Sequence, residues 1–382
     1  MAEIWKPKSF SYGESGVDVR IEGKASRILY ETSKPTWENR RGKLGQVEAL
    51  YDDFRGVRFS DVSCLPEGTV MYENADGTGS KPQIARIAGR LDTISTDLIE
   101  ASGCDAACEG YEPVHLVTVV KVNTLGQDES RLDKIRELGE SCTEPCARAG
   151  ISITNGELAQ DNTMGHLDEF RFEWDGALTS FGHKSRLVDG SKIEPDNALV
   201  GFYEAGFRSN GFSLLLDIFE YYYGEEWGEE QFMGQRLADL VLTPSEMYTP
   251  ALVDMTGGYD LNRPAPAQFS GAVNISGGGI PEKLSSLLKA SGYGAVIDNP
   301  FKPPEAMALA QTLGRVPDKE AYRVLCMGIG LIIATEEPNN VLKVGQKHGL
   351  TGRRIGQVVS SRIISIESRG TEHPGRWLNY FI

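Results

Sequence analysis

The sequence predicts an α/β (α+β) protein of two domains. A chain of 382 residues is too long for one ordinary hydrophobic core. Segments typical of strands alternate with segments typical of helices in both halves. Turn-forming residues cluster at 189–197, between the halves. We therefore expect an N-terminal domain over residues 1–190 and a C-terminal domain over residues 191–382.

The composition narrows the class of protein. Hydrophobic residues make up 40% of the chain and charged residues 24%, as in soluble globular proteins. The net charge of −15 argues against a nucleic-acid partner, because phosphate backbones bind basic surfaces. No apolar run approaches the ~20 residues of a membrane span, and the N-terminus lacks the apolar segment of a secretory signal. We expect a cytoplasmic protein with no nucleic-acid or membrane partner.

Hydrophobic periodicity predicts the elements of the N-terminal half. The continuous apolar run at 114–122 is typical of a buried strand, and the spacing of Leu132, Ile135 and Leu138 is that of one helix face. Asn155-Gly-Glu157 is predicted to be a turn that ends a strand. The predicted order is a helix at 24–32, a strand at 68–73, helices at 82–90 and 91–103, a strand at 114–122, a helix at 130–149, and strands at 151–154 and 170–181.

The C-terminal half has the same alternation. A loop rich in glycine and proline at 257–268 divides it. The predicted order is a strand at 198–203, a helix at 210–223, a strand at 271–275, a helix at 281–290 and a strand at 324–334.

The run Asp76-Gly-Thr-Gly-Ser-Lys81 carries the strongest chemical signal. Glycines let backbone N–H groups turn toward an anion, an aspartate can hold Mg²⁺, and a lysine can neutralise phosphate. The run is not a Walker loop, because the four-residue gap and the final Gly-Lys-Ser/Thr are absent. It indicates Mg-nucleotide chemistry, although alone it also fits an ordinary turn.

Two later runs have related chemistry. Gly277-Gly-Gly279 precedes a predicted helix, whose N-terminal N–H groups could accept a substrate phosphate. Ser209 and Asn210 precede another helix, where they could touch substrate or, more simply, cap the helix.

Four carboxylates are predicted at turns after strands: Asp76, Asp97, Asp105 and Glu157. Each alone is more typical of a solvated surface acid. Together they would suffice to hold one or two Mg²⁺ ions on a triphosphate. Two Cys-x-x-x-Cys pairs, at 104/108 and 142/146, do not have the usual Cys-x-x-Cys spacing of structural metal sites, and core packing is the favoured interpretation.

In order and spacing, these runs resemble the AIR synthase family (phosphoribosylformylglycinamidine cyclo-ligase, with the PurM-like fold). The resemblance covers nearly the whole chain. The matching segments lie at 12–18, 76–81, 92–98, 110–113, 155–159, 209–214, 242–248, 276–279 and 326–330, with Asp105 at the family's Asn-Asp step.

The resemblance implies a fold and a reaction. The fold would be a two-domain PurM-like architecture, with N-terminal sheets that form an inter-subunit β-barrel in a homodimer and a C-terminal α/β sandwich. The reaction would use ATP and Mg²⁺ to close formylglycinamidine ribonucleotide, a small-molecule nucleotide substrate, to 5-aminoimidazole ribonucleotide through an iminophosphate, releasing ADP and phosphate in purine biosynthesis.

The resemblance also implies roles for individual residues. The implied catalytic residues are Lys81, Asp76 and Arg208. The implied ATP and phosphate ligands are Gly77, Thr78, Gly79, Ser80, Lys81, Ser209, Asn210, Gly277, Gly278 and Gly279. The implied metal ligands are Asp76, Asp97, Asp105 and Glu157.

Three departures from the family keep other readings open. The family's N-terminal glycine-rich loop is replaced by charged and bulky residues at 45–51, its histidine before Ser-Asn-Gly is Arg208, and the Glu-Met-Pro-Gly run is Gln160-Asp-Asn-Thr. One alternative is a paralogue that phosphorylates a different acceptor, such as thiamine phosphate, selenide or a carbamoyl thioester. Another is a non-catalytic nucleotide-binding dimer.

Overall fold

The computed structural model describes residues 18–63, 65–126 and 129–382. The elements of its N-terminal half, in chain order, are α1 (Val19–Trp37), β1 (Glu48–Ala49), β2 (Arg58–Phe59), β3 (Thr69–Gly77), α2 (Lys81–Ala88), α3 (Ile94–Cys108), β4 (Glu112–Val122), α4 (Leu132–Ser141), α5 (Thr143–Ala149), β5 (Ser152–Gln160) and β6 (Phe172–His183). Short 3₁₀ turns lie at Glu38–Arg40, Asn162–Met164 and Lys184–Arg186.

The C-terminal half contains the remaining elements. They are β7 (Ala198–Tyr203), α6 (Phe212–Tyr223), a 3₁₀ turn (Trp227–Glu229), β8 (Gln231–Phe232), β9 (Gln235–Arg236), α7 (Leu237–Val241), α8 (Thr249–Thr256), β10 (Gly271–Asn274), α9 (Gly279–Leu288), β11 (Gly294–Ile297), α10 (Glu305–Leu313), α11 (Asp318–Val324), β12 (Ile329–Thr335), α12 (Pro338–Lys347), β13 (Gly352–Val359), β14 (Ile363–Glu367) and β15 (Trp377–Phe381).

A four-stranded sheet in the order β3-β6-β4-β5 organises the N-terminal half. Strand β6 pairs antiparallel with β3 and β4, and β4 pairs parallel with β5. Burial alternates along β4: Leu116 and Val120 are fully buried, whereas Val117 and Val119 are 41% and 43% exposed. One face of the sheet therefore carries the core beneath α1 and α3, and the other face is open.

A seven-stranded mixed sheet organises the C-terminal half, in the order β10-β12-β7-β13-β11-β14-β15. Every residue of β12 is buried. Ile332 belongs to the core that contains Leu284 of α9, while Leu331 and Ile333 belong to the core that contains Leu252 of α8. Helices therefore cover both faces of this sheet, which explains why the interior strand β12 is apolar up to its last residue, Thr335.

The predicted α/β class and two-sheet architecture are confirmed. The strand predicted at 198–203 matches β7, and the helices predicted around 24–32 and 91–103 are longer, as α1 and α3. The division at residue 190 lies between the two sheets and stays a prediction. Residues 12–17, which carry part of the family resemblance, lie outside the described residues.

Three element predictions are wrong, each for a local reason. The predicted turn Asn155-Gly-Glu157 lies inside β5, where a shift in the ladder at Leu116/Val117 accommodates these polar residues on an edge strand. The helix predicted at 130–149 divides into α4 and α5 at Cys142, close to Pro145, which lacks an N–H. The strand predicted at 324–334 begins at Ile329, because α11 continues to Val324.

Within the part of the chain that the structure describes, no helix is long and apolar enough to cross a membrane.

Candidate functional site

A cleft of about 290 Å³ between the two sheets brings together the three glycine-containing runs of the sequence. Of the residues predicted for the site, eight line it: Asp76, Gly77, Gly79, Asp97, Arg208, Ser209, Asn210 and Gly277. Ala101, Ser245, Asn274 and Ser276 complete the lining. The predicted convergence of runs that are 60 or more residues apart is therefore present in the structure.

Glycines allow the close approach of the first two runs. Gly79 has φ +55°, a left-handed conformation, and a Cβ there would lie 3.4 Å from the carbonyl oxygen of Ser209. A Cβ on Gly77 would lie 2.0 Å from Oδ1 of Asp175. Glycine is thus required at residue 77 for space and favoured at residue 79 by its backbone conformation, and both line the cleft beside Asp76.

Asp76 and Asp105 lie close enough to repel each other. Burial raises the pKa of Asp76, the hydrogen bond from Gly77 N–H to its carboxylate lowers it, and the negative charge of Asp105 raises it further. Asp76 is the last but one residue of β3, and Asp105 lies within α3 rather than at a turn. Two carboxylates held in this way favour a cation between them.

Asp97 is not at a turn either; it lies in the first turn of α3 and is fully buried. Its Oδ1 accepts hydrogen bonds from Lys81 Nζ at 2.7 Å and from Ser245 Oγ at 2.6 Å. Its Oδ2 is buried without a hydrogen-bond partner among the described residues. The lining of the cleft therefore contains one unsatisfied carboxylate oxygen, which is an acceptor available to a ligand or cation.

Lys81 has a different position from the one the sequence suggested. Its side chain has no exposure, and Nζ donates to Asp97 Oδ1 and, at 2.9 Å, to the carbonyl oxygen of Thr243. The lysine lies behind Asp97 and joins α2 and α3 to the C-terminal half. In this arrangement the ammonium group of Lys81 is bound to Asp97 and to the backbone. A direct contact between Lys81 and a phosphate stays a prediction.

Arg208 is also buried, with 3% of its surface exposed. Its guanidinium donates to Glu204 Oε2 at 2.8 Å and to Asn274 Oδ1 at 2.7 Å, and lies 5.4 Å from the ring centre of Tyr248. An arginine has no acceptor and does not release a proton near neutral pH. The side chain lies within the wall of the cleft and has no free end that projects into the opening.

The third run begins α9. Gly278 and Gly279 have φ values of +86° and +62°, and a Cβ on Gly279 would lie 2.1 Å from the carbonyl oxygen of Tyr322. A Cβ on Gly278 would lie 2.2 Å from Oε2 of Glu282, so this acid covers the start of its own helix. Gly277 faces Asn210, whose Oδ1 would be 3.6 Å from its Cβ. Only Gly277 of the three glycines lines the cleft.

The remaining predicted residues lie around the cleft or away from it. Thr78 is buried and donates to the carbonyl oxygen of Trp174, and Ser80 precedes α2 beside a neighbouring cavity. Glu157 is exposed on β5, at the opposite edge of the sheet from β3, and lines a separate cavity under α1. Among the described residues no group of three or more histidine, cysteine or acidic side chains could hold a metal. The four predicted metal ligands are therefore not assembled within one chain.

The residues present still fit a nucleotide-bound magnesium ion. Mg²⁺ on a triphosphate uses one or two protein carboxylates and completes its octahedron with phosphate oxygens and water. Asp76 and Asp105 would supply those carboxylates, and the unpaired Oδ2 of Asp97 would accept from a bound water.

Sequence reasoning missed four polar residues that shape the cleft: Glu100, Glu204, Ser245 and Asn274. Asn274 is the polar end of an otherwise apolar strand, a signal that could have been read. Glu100 is fully buried in α3, where its carboxylate accepts from the N–H of Tyr248 and from Thr249 Oγ1. Burial raises the pKa of Glu100 to about 7, against the opposing effects of Arg208 and these hydrogen bonds.

The chain is similar in sequence to known proteins. Residues 194–368 match the family model described as AIR synthase related protein, C-terminal domain. The chain is 28% identical over 355 residues to phosphoribosylformylglycinamidine cyclo-ligase of Methanocaldococcus jannaschii, covering 92% of this chain and 93% of that protein. It is also 28% identical over 363 residues to the enzyme of that name from Thermococcus kodakarensis, covering 94% and 98%.

Solved structures show the same fold at low identity. Thiamine-monophosphate kinase from Stenotrophomonas maltophilia K279a superposes with a TM-score of 0.57 at 12% identity, covering 89% of this chain and 95% of that one. T. maritima PurL complexed with ATP gives a TM-score of 0.53 at 13% identity, covering 95% of this chain and 51% of that one.

We predict that Lys81→Met strongly destabilises the protein. The substitution leaves Asp97 buried without its cationic partner, which costs about 3–5 kcal/mol. Urea denaturation followed by circular dichroism measures the loss. Lys121→Met is the matched control, since Lys121 forms an exposed pair with Glu173 and its removal changes stability by about 0.5 kcal/mol at most. Equal effects of the two substitutions would contradict a structural role for Lys81.

We predict that Glu100→Gln changes how stability depends on pH. Between pH 4.5 and about 7 the unfolded carboxyl is ionised while the folded one holds its proton, so wild-type stability falls as pH rises through this window. The shift from 4.5 to about 7 corresponds to about 3 kcal/mol. The free energy of unfolding of the variant, relative to wild type, should therefore rise by about that amount between pH 4 and pH 8.

Denaturation curves across the pH range provide the measurement for Glu100, with the exposed Glu173→Gln as control. Parallel profiles for wild type and Glu100→Gln would show that Glu100 does not titrate in this window.

Proposed function

We propose that this chain is a divergent member of the AIR synthase family and that it acts as a cytoplasmic ATP-dependent cyclo-ligase. The proposed reaction closes formylglycinamidine ribonucleotide to 5-aminoimidazole ribonucleotide and releases ADP and phosphate. The relatives that carry the cyclo-ligase name align over more than nine-tenths of the chain, which supports this reaction over others of the same fold.

The meeting of the three runs around Asp76 and the free oxygen of Asp97, with Asp105 near enough for its charge to act on Asp76, carries the proposal. These carboxylates suit a cation on the β- and γ-phosphates of ATP, and the glycine backbone beside them leaves room for the phosphates. The bound cation would neutralise the charge that develops during phosphoryl transfer.

The reaction requires one displacement at the γ-phosphorus of ATP and a second at the formyl carbon of the substrate. The formyl amide oxygen takes the γ-phosphoryl group from ATP, and ADP leaves. The amidine nitrogen then forms the ring C–N bond, and the C–O bond breaks with release of phosphate. The side chains that line the cleft would act by orienting ATP and substrate, since none of them is a histidine that could transfer protons near neutral pH.

The open face of the N-terminal sheet supports a homodimer. Met71, Val117 and Val119 are exposed on it by 59%, 41% and 43%. Strands β3 and β5 are free edges of this sheet, and pairing with a second copy would close the sheet into a barrel and remove both edges. Such a barrel would also bury the edge strand that carries Glu157, so a site shared between subunits would explain its distance from Asp76.

A second candidate function keeps ATP and changes the acceptor. Its support is Arg208, which lies buried in the wall where the family has a histidine, so the described lining of the cleft holds no imidazole that could transfer protons near neutral pH. An acceptor that is already nucleophilic needs no such group. The fold neighbours include a thiamine-monophosphate kinase.

We predict stoichiometric ADP and aminoimidazole from purified protein given formylglycinamidine ribonucleotide, ATP and Mg²⁺. Asp76→Asn should lower turnover about a hundredfold, because the cation and phosphates would no longer be held in reacting geometry. Asp217→Asn, on the exposed side of α6, is the matched control and should retain full activity. ADP without aminoimidazole, or neither product, would refute the cyclo-ligase. The second candidate predicts ADP release when another acceptor, such as thiamine monophosphate, replaces formylglycinamidine ribonucleotide.

We predict a dimer of twice the 41.8 kDa chain mass in sedimentation equilibrium. Val119→Asp places a charge on the open sheet face and should give a monomer, because an unpaired charge is costly inside a closed barrel. Leu261→Asp, on an exposed loop after α8, should leave the dimer intact. A monomeric wild-type protein would rule out the shared barrel.

A further inference from the structure

We propose that Arg208 is a positioning residue that fixes the cation-binding carboxylate of Asp105 through the side chain of Asn274. The three groups form a continuous hydrogen-bonded chain across the wall of the cleft. Arg208 donates to Asn274 Oδ1 at 2.7 Å, and Asn274 Nδ2 donates to Asp105 Oδ1 at 2.7 Å. This inference rests on the proposed function in taking Asp105 as a ligand to the cation carried by ATP.

The chemistry of the two ends leaves one orientation for the amide of Asn274. A guanidinium only donates hydrogen bonds, and an ionised carboxylate only accepts them. The amide oxygen of Asn274 must therefore face Arg208, and its NH₂ group must face Asp105. An arginine at one end thus sets which atom Asn274 presents at the other end.

Arg208 is itself held rigidly. Its second guanidinium NH₂ group donates to Glu204 Oε2 at 2.8 Å, and Tyr248 donates its hydroxyl to the same oxygen at 3.2 Å. Glu204 is fully buried, and Asn274 and Arg208 are each 3% exposed. A planar fork that spans two acceptors and lies against an aromatic ring has little freedom to move.

The hydrogen-bonded series ends at Asp105, whose negative charge acts on Asp76 in the lining of the cleft. Asn274 occupies Oδ1 of this half-buried carboxylate, which leaves Oδ2 for a cation shared with Asp76. A carboxylate fixed by a donor on one oxygen binds a cation with less loss of side-chain freedom than a mobile one. Arg208 thereby affects cation affinity through Asn274, in addition to the direct effect of its positive charge on Asp76.

Two substitutions separate this role from a purely structural one. Asn274→Ala breaks the connection and leaves the Arg208–Glu204 ion pair in place, so the buried charges remain compensated. Arg208→Lys keeps a cation opposite Glu204 but replaces the two-pronged contact with a single ammonium group. Arg353→Lys is the matched control, because Arg353 also lies over an aromatic ring, at 4.2 Å from the centre of Phe301, and is outside the cleft.

The test measures binding of a fluorescent ATP analogue as a function of Mg²⁺ concentration, together with Mn²⁺ binding without nucleotide by electron paramagnetic resonance. Asn274→Ala and Arg208→Lys should each raise the cation concentration needed for half-saturation about tenfold. The double variant Arg208→Lys/Asn274→Ala should require no more than Asn274→Ala alone, because Arg208 acts through Asn274. The control should match wild type.

The outcomes separate the inference from the proposed function. Wild-type cation affinity in both single variants, or a double variant whose loss is the product of the two single losses, would overturn the role of Arg208. Wild-type protein that binds Mn²⁺ and nucleotide without making aminoimidazole would overturn the cyclo-ligase. The role of Arg208 would then still be decided by the cation affinities of the variants. Wild-type protein that binds neither Mn²⁺ nor nucleotide would overturn both.

Discussion

The buried ion pair between Lys81 and Asp97 is the contact on which the relation of the two halves depends. Neither side chain is exposed, and the lysine also donates to the carbonyl oxygen of Thr243 in the C-terminal half. Removing two charges from water costs several kcal/mol per ion, so the pair is tolerated only where further hydrogen bonds satisfy both groups. Ser245 provides them to Asp97 from its N–H and its hydroxyl. The loop at 243–245 can therefore occupy one place relative to α3, and the cleft has one shape.

Helix α3 extends this connection along its length. Glu100, one turn after Asp97, accepts from Tyr248 and Thr249 at the start of α8, and Asp105 accepts from Asn274 at the end of β10. A Cβ on Gly103 would lie 2.9 Å from Thr249 Oγ1, so the helix also approaches α8 closely. Acidic side chains of α3 therefore hold three segments of the C-terminal half by hydrogen bonds: residues 243–245, the start of α8 and the end of β10. Lys81 pairs with Asp97 directly, whereas Arg208 pairs with Glu204 and reaches Asp105 only through Asn274. Oδ2 of Asp97 keeps no hydrogen-bond partner among the described residues, as the proposed metal–nucleotide complex would require.

Local patterns in the sequence were sufficient for the class, the two sheets and the meeting of three glycine-containing runs. They were insufficient for the state of individual side chains. Lys81 and Asp97 have the sequence appearance of surface charges, and only the tertiary contact between α3 and residues 243–245 buries them together. The turn predicted at Asn155-Gly-Glu157 failed similarly, because pairing with β4 overrides the turn propensity of Asn-Gly. Helices and strands are visible in one sequence through their hydrophobic periodicity. Long-range strand pairing and the burial of charged side chains leave no such repeating pattern.

Arg208 has a strained backbone conformation that turns its side chain back toward Glu204 while the backbone continues toward α6. Its φ of +56° lies in the left-handed region, which costs a residue other than glycine about 1–3 kcal/mol. The reversal sends its side chain back to Glu204, four residues earlier, while Ser209 and Asn210 continue along the cleft into α6. The ion pair and the Tyr248 ring offset that strain. A glycine would relieve the backbone strain and lose both contacts, so the conformation is maintained because the side chain that adopts it forms part of the wall.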